Sequence, residues 1–216
     1  MSVTYPAQRV GVLVDVQNMF YSAYDCFRGR LNYKRLLDTA VGNRQVVRAL
    51  AYAMRDGNNQ GSFFTMLREV GFELRAKEPR VRPDGTRKGG WDIGIAVEAM
   101  TIAPKVDVIV LVSGDGDFID LVHALKTRGV RVEVYAFERS AGRELREAAD
   151  LFVPIGEEMI FREAHADKPE PEAVEKPRHV ERRVKTFGAG ILDEDDEEKP
   201  EDGGDGDMFE EISDDD

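Results

Sequence analysis

The chain has 216 residues, a formal net charge of −12 at pH 7 and a single cysteine, Cys26, which excludes an internal disulfide and a cysteine-built zinc site. Residues 1–162 hold 23 Lys and Arg against 21 Asp and Glu, and residues 163–216 hold 7 against 21, so the acidic balance does not exclude a polyanionic substrate for the first part. No apolar run is long enough to span a membrane and the N-terminus lacks the pattern of a signal peptide, so we expect a soluble, cytoplasmic protein.

The first part of the chain predicts strands and helices that alternate. Residues 9–16 are apolar and largely β-branched, which is typical of a buried strand, and the polar pair Gln17 and Asn18 indicates a turn after it. A helix over residues 33–41 follows, and Asn32 could serve as its N-terminal cap. Three further elements are predicted in order: a strand over 46–54, a helix around 62–70 that Gly71 closes, and a short strand over 72–76.

A basic stretch over residues 75–88 leads into the next helix. It holds six basic and two acidic side chains among turn residues, and the basic ones include Arg80, Arg82, Arg87 and Lys88. Residues 91–103 then predict a helix that Pro104 ends. The pattern places three apolar side chains of that helix on the core face: Ile93, Val97 and Met100.

The clearest pattern in the chain is a strand, a tight turn and a helix between residues 106 and 125. Residues 106–112 are almost wholly apolar, and the turn after them holds two glycines and two carboxylates in the order Ser113, Gly114, Asp115, Gly116 and Asp117. Apolar side chains then return at helical spacing, at Phe118, Leu121, Val122 and Leu125. His123 falls on the polar side of this helix and is expected at the surface.

The rest of the pattern completes one domain, which we assign to residues 1–162. A strand over 130–137, a helix over 140–150 with Leu145 and Ala149 buried, and a last strand over 151–155 follow in turn. Because strands and helices alternate throughout, the sequence predicts an α/β sandwich with a mainly parallel sheet.

Residues 163–216 form a separate acidic tail with a net charge of −14. Their composition cannot bury enough apolar surface to offset chain entropy, so we expect the tail to be disordered. Two short apolar islands, at residues 187–192 and 208–212, are either docking motifs for a partner protein or chance occurrences. The tail could also occupy the basic stretch and suppress non-specific binding of nucleic acid.

Four aspartates fall at predicted strand ends or helix starts: Asp15, Asp92, Asp115 and Asp117. Parallel connections would bring them to one edge of the sheet, where α/β proteins bind ligands. Such a cluster suits Mg²⁺ or a similar hard cation, which could lower the pKa of a water and stabilise both oxygens of a phosphodiester displacement. A plainer interpretation exists for each residue alone, since an Asp at a helix start is more often a cap or a partner of the helix dipole.

Neighbouring polar residues have two interpretations as well. Asn18 is an N-cap or a substrate contact, Ser113 bonds the turn backbone or holds Asp115, and Lys88 with its basic neighbours is a solvated loop or a phosphate-facing patch. Competing motifs fit less well, because residues 115–120 have Asp where an EF-hand loop needs Gly, and neither a P-loop nor G-x-G-x-x-G follows the first strand. Position 17 is Gln where a phosphatase with an aspartyl nucleophile would need Asp.

At these residues the chain resembles the NYN domain family, the LabA-like branch of the PIN-like nucleases. The matching segments run from about residue 9 to residue 155, and their most specific part is SGDGDF after an apolar strand with an upstream D-x-x-N. The resemblance implies a PIN-like three-layer sandwich with a metal-dependent acidic site that acts on RNA. By position, it makes Asp15, Asp92, Asp115 and Asp117 catalytic ligands of Mg²⁺ or Mn²⁺, with Asn18 as a supporting contact.

Two classes of function stay open at this point. The first is a Mg²⁺- or Mn²⁺-dependent ribonuclease whose contacts to RNA come from Asn18, Ser113, Arg80, Arg82, Arg87 and Lys88. The second is a non-catalytic RNA-binding or regulatory module. DNA is not excluded as the substrate, because no residue here reports on the 2′-hydroxyl. A protein partner for the acidic tail and a homodimer also stay open.

Overall fold

The computed structural model of the chain describes residues 5–55, 60–81, 87–88 and 90–161, all within one compact unit. At residues 80, 81, 87 and 88 it describes the backbone alone. The tail expected at residues 163–216 and the candidate contact Arg82 lie outside the described residues.

Six parallel strands form the central sheet, in the order β4-β3-β1-β7-β8-β9. Two antiparallel pairs, β2 with β10 and β5 with β6, lie apart from it. The strands in chain order are β1 (Arg9–Asp15), β2 (Arg30–Leu31), β3 (Gln45–Met54), β4 (Glu73–Lys77), β5 (Arg80–Val81), β6 (Arg87–Lys88), β7 (Val108–Val112), β8 (Arg131–Ala136), β9 (Leu151–Pro154) and β10 (Ile160–Phe161).

Helices cover both faces of the sheet, so the predicted α/β sandwich with a mainly parallel sheet is confirmed. The first three helices in the chain pack against one face and the last three against the other. They are α1 (Val16–Phe27), α2 (Tyr33–Val41), α3 (Gly61–Val70), α4 (Asp92–Ile102), α5 (Ile119–Thr127) and α6 (Arg143–Ala148). No helix in the described part of the chain is long and apolar enough to cross a membrane.

The two central strands are buried on both faces, which explains their unbroken apolar runs. On β1, alternate valines enter the core under α1–α3, while Leu13 enters the core under α4–α6. Gly11 adds to the packing on that second face, because a Cβ there would lie 2.7 Å from Cδ1 of Ile102. The absence of a side chain on Gly11 therefore allows α4 to lie close to the sheet.

The order of the strands reverses between β1 and β7. From β1 the chain builds outward through β3 to β4, then returns to pair β7 with the other side of β1 and continues through β8 to β9. In sheets of this kind, ligands bind in the crevice beyond the carboxyl ends of the two strands at the reversal. The end of β1 and the end of β7 therefore mark the expected position of a site.

A buried ion pair joins the loop before β3 to strand β8, and sequence patterning did not reveal it. Nη1 and Nη2 of Arg44 donate to the two carboxylate oxygens of Glu133, each at 3.0 Å, and both side chains are only 2% exposed. Arg131 adds a second cation, with its Nε 3.1 Å from Oε1 of Glu133. The buried charge of Glu133 is thereby compensated inside the fold.

The polar turn predicted at Gln17 and Asn18 is wrong, because both residues belong to the first turn of α1. The carboxylate of Asp15 caps this helix by accepting a hydrogen bond from the backbone N–H of Asn18 at 3.0 Å. With the cap already at the end of β1, the helix begins directly after the strand and no turn intervenes.

The core face predicted for α4 is wrong as well. Ile93 is 80% exposed and Val97 is 60% exposed, while Met100 is half-buried. The helix instead turns three other apolar side chains into the core: Ile95, Ala99 and Ile102. In α6, Leu145 is buried as predicted, but Ala148 takes the buried position expected for Ala149. His123 is exposed, as predicted.

Candidate functional site

Strands β1 and β7 deliver polar residues to the same point. Val14 pairs with Val112 in the parallel register, and the next residues on the two strands are Asp15 and Ser113. The loop that follows β7 leads through Gly114 and Asp115 into a short 3₁₀ turn at Gly116–Phe118. This loop and the start of α1 together border the crevice where the strand order reverses.

Asp15 is a buried carboxylate at the last position of β1. Burial raises the pKa of Asp15 to about 6, with smaller contributions from the negative charges of Asp92 and Asp115. Hydrogen bonds from the backbone N–H groups of Asn18 and Gln17 oppose this rise in pKa. The hydrogen bonds at this position favour the charged carboxylate, but its burial favours the protonated form more strongly.

Asn18 links helix α1 to the loop after β7. Its Oδ1 accepts a hydrogen bond from the backbone N–H of Gly114 at 3.0 Å, across 96 positions of sequence. The alternative role as an N-cap is therefore wrong, since Asp15 fills that position. The side chain of Asn18 instead keeps the loop beside the end of β1.

The loop after β7 is further held by its own side chains. The fully buried hydroxyl of Ser113 accepts a hydrogen bond from the N–H of Asp115 at 3.2 Å. Oδ1 of Asp115 in turn accepts from the N–H of Asp117 at 3.0 Å. Asp115 is half-buried and Asp117 is exposed. Of the two interpretations open for Ser113, the structure shows the bond to the turn backbone.

A second loop presses against the first at Gly114. The N–H of Gly142 donates to the carbonyl oxygen of Gly114 at 3.2 Å. A Cβ on Gly114 would lie only 3.2 Å from Cα of Ala141 and from the carbonyl oxygen of Ser140. The glycine is therefore needed here for close approach of two backbones, rather than for an unusual φ.

Asp92 stands at the first position of α4 and is half-buried. Burial raises the pKa of Asp92, and the negative charges of Asp115 and Asp117 raise it further, while Lys77 acts against them. Since Asp15 is affected by Asp92 and Asp115, the four predicted aspartates form one electrostatically connected group. The four carboxylates that the sequence singled out therefore lie within electrostatic range of one another, but among the described residues no three of them are gathered closely enough to hold a metal ion as they stand.

Lys77 is a neighbour of this group that sequence reasoning counted only as part of a basic stretch. It is the last residue of β4, and its Nζ donates to the carbonyl oxygen of Gly90 and lies 4.2 Å from the ring centroid of Trp91. Trp91 is itself anchored by its Nε1, which donates to the carbonyl oxygen of Ala53 at 2.8 Å. The pairing of Lys77 with Met54 on β3 shows which end of the sheet it occupies, and that register is not readable from composition.

Of the four other basic candidates, Arg82 lies outside the described residues, and Arg80, Arg87 and Lys88 are described by their backbone alone. Arg80 pairs with Lys88, and Val81 pairs with Arg87, in the β5–β6 hairpin, so the predicted turn contains a short antiparallel pair. Because only the backbone is described at these residues, the structure does not test their predicted contacts with a substrate.

The donor set at the site consists of carboxylate oxygens that are not neutralised by described cations. Within residues 5–55, 60–79 and 90–161, no Lys or Arg forms an ion pair with any of the four aspartates. The same residues contain no group of three His, Cys, Asp or Glu side chains gathered closely enough to hold a metal ion as they stand. Mg²⁺ needs only one or two protein carboxylates, because it keeps several waters, and this donor set fits such an ion.

Similar proteins support the fold. The protein LabA of Synechococcus elongatus is 26% identical over 178 residues, which cover 78% of this chain and 95% of LabA. The crystal structure of VPA0982 from Vibrio parahaemolyticus, a protein of unknown function, has a TM-score of 0.69 and 38% identity, covering 74% of this chain and all of that one. The MAR1 ribonuclease of Caenorhabditis elegans gives a TM-score of 0.37 at 13% identity, over 71% of this chain and 79% of its own, which is too distant to support an argument.

A family model decides the classification. The model of the NYN domain matches residues 9–156, which include both central strands, the loop after β7 and all four aspartates. The match covers most of the chain and the whole of the six-stranded sheet. This chain therefore belongs to the NYN domain family, whose fold is a PIN-like nuclease fold.

Proposed function

We propose that residues 1–162 form a ribonuclease domain that hydrolyses RNA phosphodiester bonds with the help of Mg²⁺ or Mn²⁺. One observation carries the proposal: Asp15 ends β1, Asp115 and Asp117 lie in the loop after β7, and Asp92 begins α4, which contacts that loop, while no described Lys or Arg pairs with these four carboxylates. If these carboxylates had only a structural role, we would expect Lys or Arg side chains to neutralise them. Without such partners, the carboxylates can lie near one another only when a cation or a proton reduces their repulsion. RNA is proposed as the substrate because the chain belongs to a family with a nuclease fold.

The four aspartates share one proposed task. Asp15, Asp92, Asp115 and Asp117 would supply the oxygens that hold Mg²⁺ or Mn²⁺. When bound, the ion lowers the pKa of a water and stabilises the attacking and leaving oxygens of the phosphodiester. Asp15 is the most buried of the four, and its side chain also caps α1.

Other residues would position these carboxylates and the substrate. Asn18 and Ser113 hold the backbone of the loop after β7, and thereby orient Asp115. Lys77 places a positive charge beside Asp92, which would attract a phosphate group. The β5–β6 hairpin, with Arg80, Arg87 and Lys88, would extend this attraction along the strand, and Arg82 is proposed to add to it.

A cleavage assay tests the proposal directly. Labelled RNA and DNA of the same sequence are incubated with the full chain while Mg²⁺ or Mn²⁺ is titrated, and then with excess chelator. We expect RNA to be cleaved only when the ion is present. Asp115→Asn should lower the rate of cleavage by at least about 100-fold, because charge stabilisation in the transition state is lost. The matched control is Asp120→Asn, an exposed carboxylate in the first turn of α5, which should leave the rate within about twofold. Cleavage that persists in chelator, or in Asp115→Asn, would contradict the proposal.

One observation favours a second candidate, an RNA-binding module without turnover. Among the described residues, no three ligand-type side chains are already gathered around a single point. Such a module would bind RNA in a salt-dependent manner and yield no products in long incubations with either ion. The same assay therefore separates the two candidates.

A further inference from the structure

Helix α1 leads away from the candidate site and exposes aromatic side chains to solvent. Phe20 is 50% exposed, Tyr21 is 38% exposed and Tyr24 is 36% exposed. We call these three residues the aromatic stripe. Large aromatic side chains usually contribute buried area, so three exposed rings on one helix face indicate a surface that binds something.

The aromatic stripe begins next to the site. Asn18, which bonds the loop after β7, lies in the same helix one turn before Tyr21 and about 9 Å along the axis before Tyr24. The rings form two platforms. Phe20 and Tyr21 pack edge to face with centroids 5.6 Å apart, and Tyr24 lies beneath the guanidinium of Arg28 at 4.8 Å. The two platforms are one helical turn apart, about 6 Å along the axis.

Positive charge lies at the end of the same helix. Arg28 is exposed and forms no ion pair with a carboxylate in the described part of the chain. The one carboxylate on α1 is Asp25.

We propose that the aromatic stripe is a binding surface for single-stranded RNA, on which unpaired bases stack while Arg28 attracts the phosphates. This inference rests on the proposed function, because it gives the substrate a path to the four aspartates. The spacing of about 6 Å between platforms exceeds the 3.4 Å of stacked bases, so each platform would take one unstacked base. Duplex RNA keeps its bases stacked inside and offers no free face to these rings.

The chemistry of the side chains favours RNA over a protein partner. Every base has a π-face, and aromatic residues beside cations are the usual platform for single strands. The exposed apolar residues of α4, Ile93 and Val97, are aliphatic and have no such stacking capacity. The surface that would suit a nucleobase is therefore the one on α1.

Binding is tested with the full chain carrying Asp115→Asn, so that substrate is not consumed. The probes are a fluorescent twelve-nucleotide oligouridylate, an abasic strand of the same length and charge, and a twelve-base-pair RNA duplex. In Phe20→Leu and Tyr24→Leu we expect affinity for the oligouridylate to fall about 5- to 100-fold each, the loss expected for one stacked base. Tyr24→Phe should keep the affinity within about twofold, because the ring is retained.

The matched control is Tyr5→Leu. Tyr5 is 61% exposed and precedes β1, so it lies at the opposite end of the sheet from the site. This variant should bind as the parent does. The abasic strand and the duplex should bind the parent at least as weakly as the oligouridylate binds Phe20→Leu or Tyr24→Leu. These two substitutions should not weaken binding of either probe further. These two probes need no variant, so they test the proposal even where a substitution impairs folding.

Several results would overturn the inference: oligouridylate affinity unchanged in Phe20→Leu and Tyr24→Leu, equal binding of the abasic strand, no binding by the parent, or an effect that appears only as a change of oligomeric state. The inference and the proposed function fail separately. If the chain binds RNA through α1 in a base-dependent manner but the wild type cleaves nothing, the inference holds and the ribonuclease proposal fails. If cleavage depends on the ion but KM is unchanged in Phe20→Leu and Tyr24→Leu, the ribonuclease proposal holds and the inference fails.

Discussion

Replacing Asp15 by Asn is expected to stabilise the fold while abolishing the proposed activity. The side chain is buried, and its Oδ1 accepts a hydrogen bond from the N–H of Asn18 at 3.0 Å. An Asn at this position keeps an oxygen that can accept the same bond, and it is among the best N-cap residues. The substitution therefore removes the negative charge and leaves the packing and the cap nearly intact.

The magnitude follows from the pKa of Asp15. Burial, and then the charges of Asp92 and Asp115, raise this pKa from 3.8 to about 6. Because the folded state holds the proton more tightly, it binds more protons than the unfolded state between these two values, and the free energy of unfolding falls as the pH rises through that window. Above pH 6 the whole cost is present, and at about 1.4 kcal/mol per pH unit it amounts to about 3 kcal/mol.

Urea denaturation with the fluorescence of Trp91, the only tryptophan, measures this difference. In chelator at pH 7, Asp15→Asn should unfold with a free energy about 3 kcal/mol above that of the wild type, and the gap should close toward pH 4. Asp120→Asn, at an exposed carboxylate, should shift stability by less than about 0.5 kcal/mol at either pH. Adding Mg²⁺ should stabilise the wild type more than Asp15→Asn. A variant less stable than the wild type at pH 7, or a gap that does not depend on pH, would refute the reasoning.

Further substitutions at three positions, with one control, test how the site and the fold that supports it are built. Asn18→Ala removes the acceptor of the Gly114 N–H and should cost about 1–3 kcal/mol in urea denaturation, and an unchanged stability would contradict this role. Gly114→Ala should lower both the melting temperature and cleavage, because its Cβ would meet neighbouring backbone at 3.2 Å. Gly116→Ala has no atom within 4 Å of its Cβ and should be tolerated, so equal effects of the two alanines would contradict this account. Glu133→Gln leaves the buried charge of Arg44 without its partner and should cost about 3–5 kcal/mol, and a stable variant in the same assay would contradict it.

The sequence was sufficient to predict the sheet and the edge of the sheet at which the four aspartates lie, because both depend on local patterns. The apolar runs that became β1 and β7 are long, β-branched and uninterrupted, which only a strand covered on both faces requires. The two glycines and two carboxylates after β7 mark a tight turn at the carboxyl end of a strand. Asp15 and Asp92 could then be added, since parallel connections carry them to the same edge.

The face of α4 could not be predicted from its sequence, because apolar residues surround this helix on every side. Periodicity identifies a buried face only when the other face is polar. Here the choice is made by distant residues: Gly11 on β1 leaves the space that Ile102 fills. Trp91 adds a second constraint, since a Cβ on Gly94 would lie 2.6 Å from Cε3 of its ring. The contact with Gly11 comes from tertiary packing and leaves no signal in a short window of sequence. Trp91 is only three residues from Gly94, but its ring is held in place by its bond to the distant carbonyl oxygen of Ala53.

The contacts that hold the site together were hidden for the same reason. The bond from Gly114 to Asn18 joins residues 96 positions apart, and the role of Lys77 depends on the register between β3 and β4. Yet these contacts explain why the carboxylates can persist in the fold at all. Without bound cations, burial and mutual repulsion raise the pKa values of Asp15 and Asp92, so each of these charges costs stability. The bonds made by Asn18 and Ser113 and the close packing at Gly114 hold the loop in place against that repulsion. If the charges served only as helix caps, neutral Asn or Ser would do so without that cost, which is why the stability of Asp15→Asn is a test of function as much as of folding.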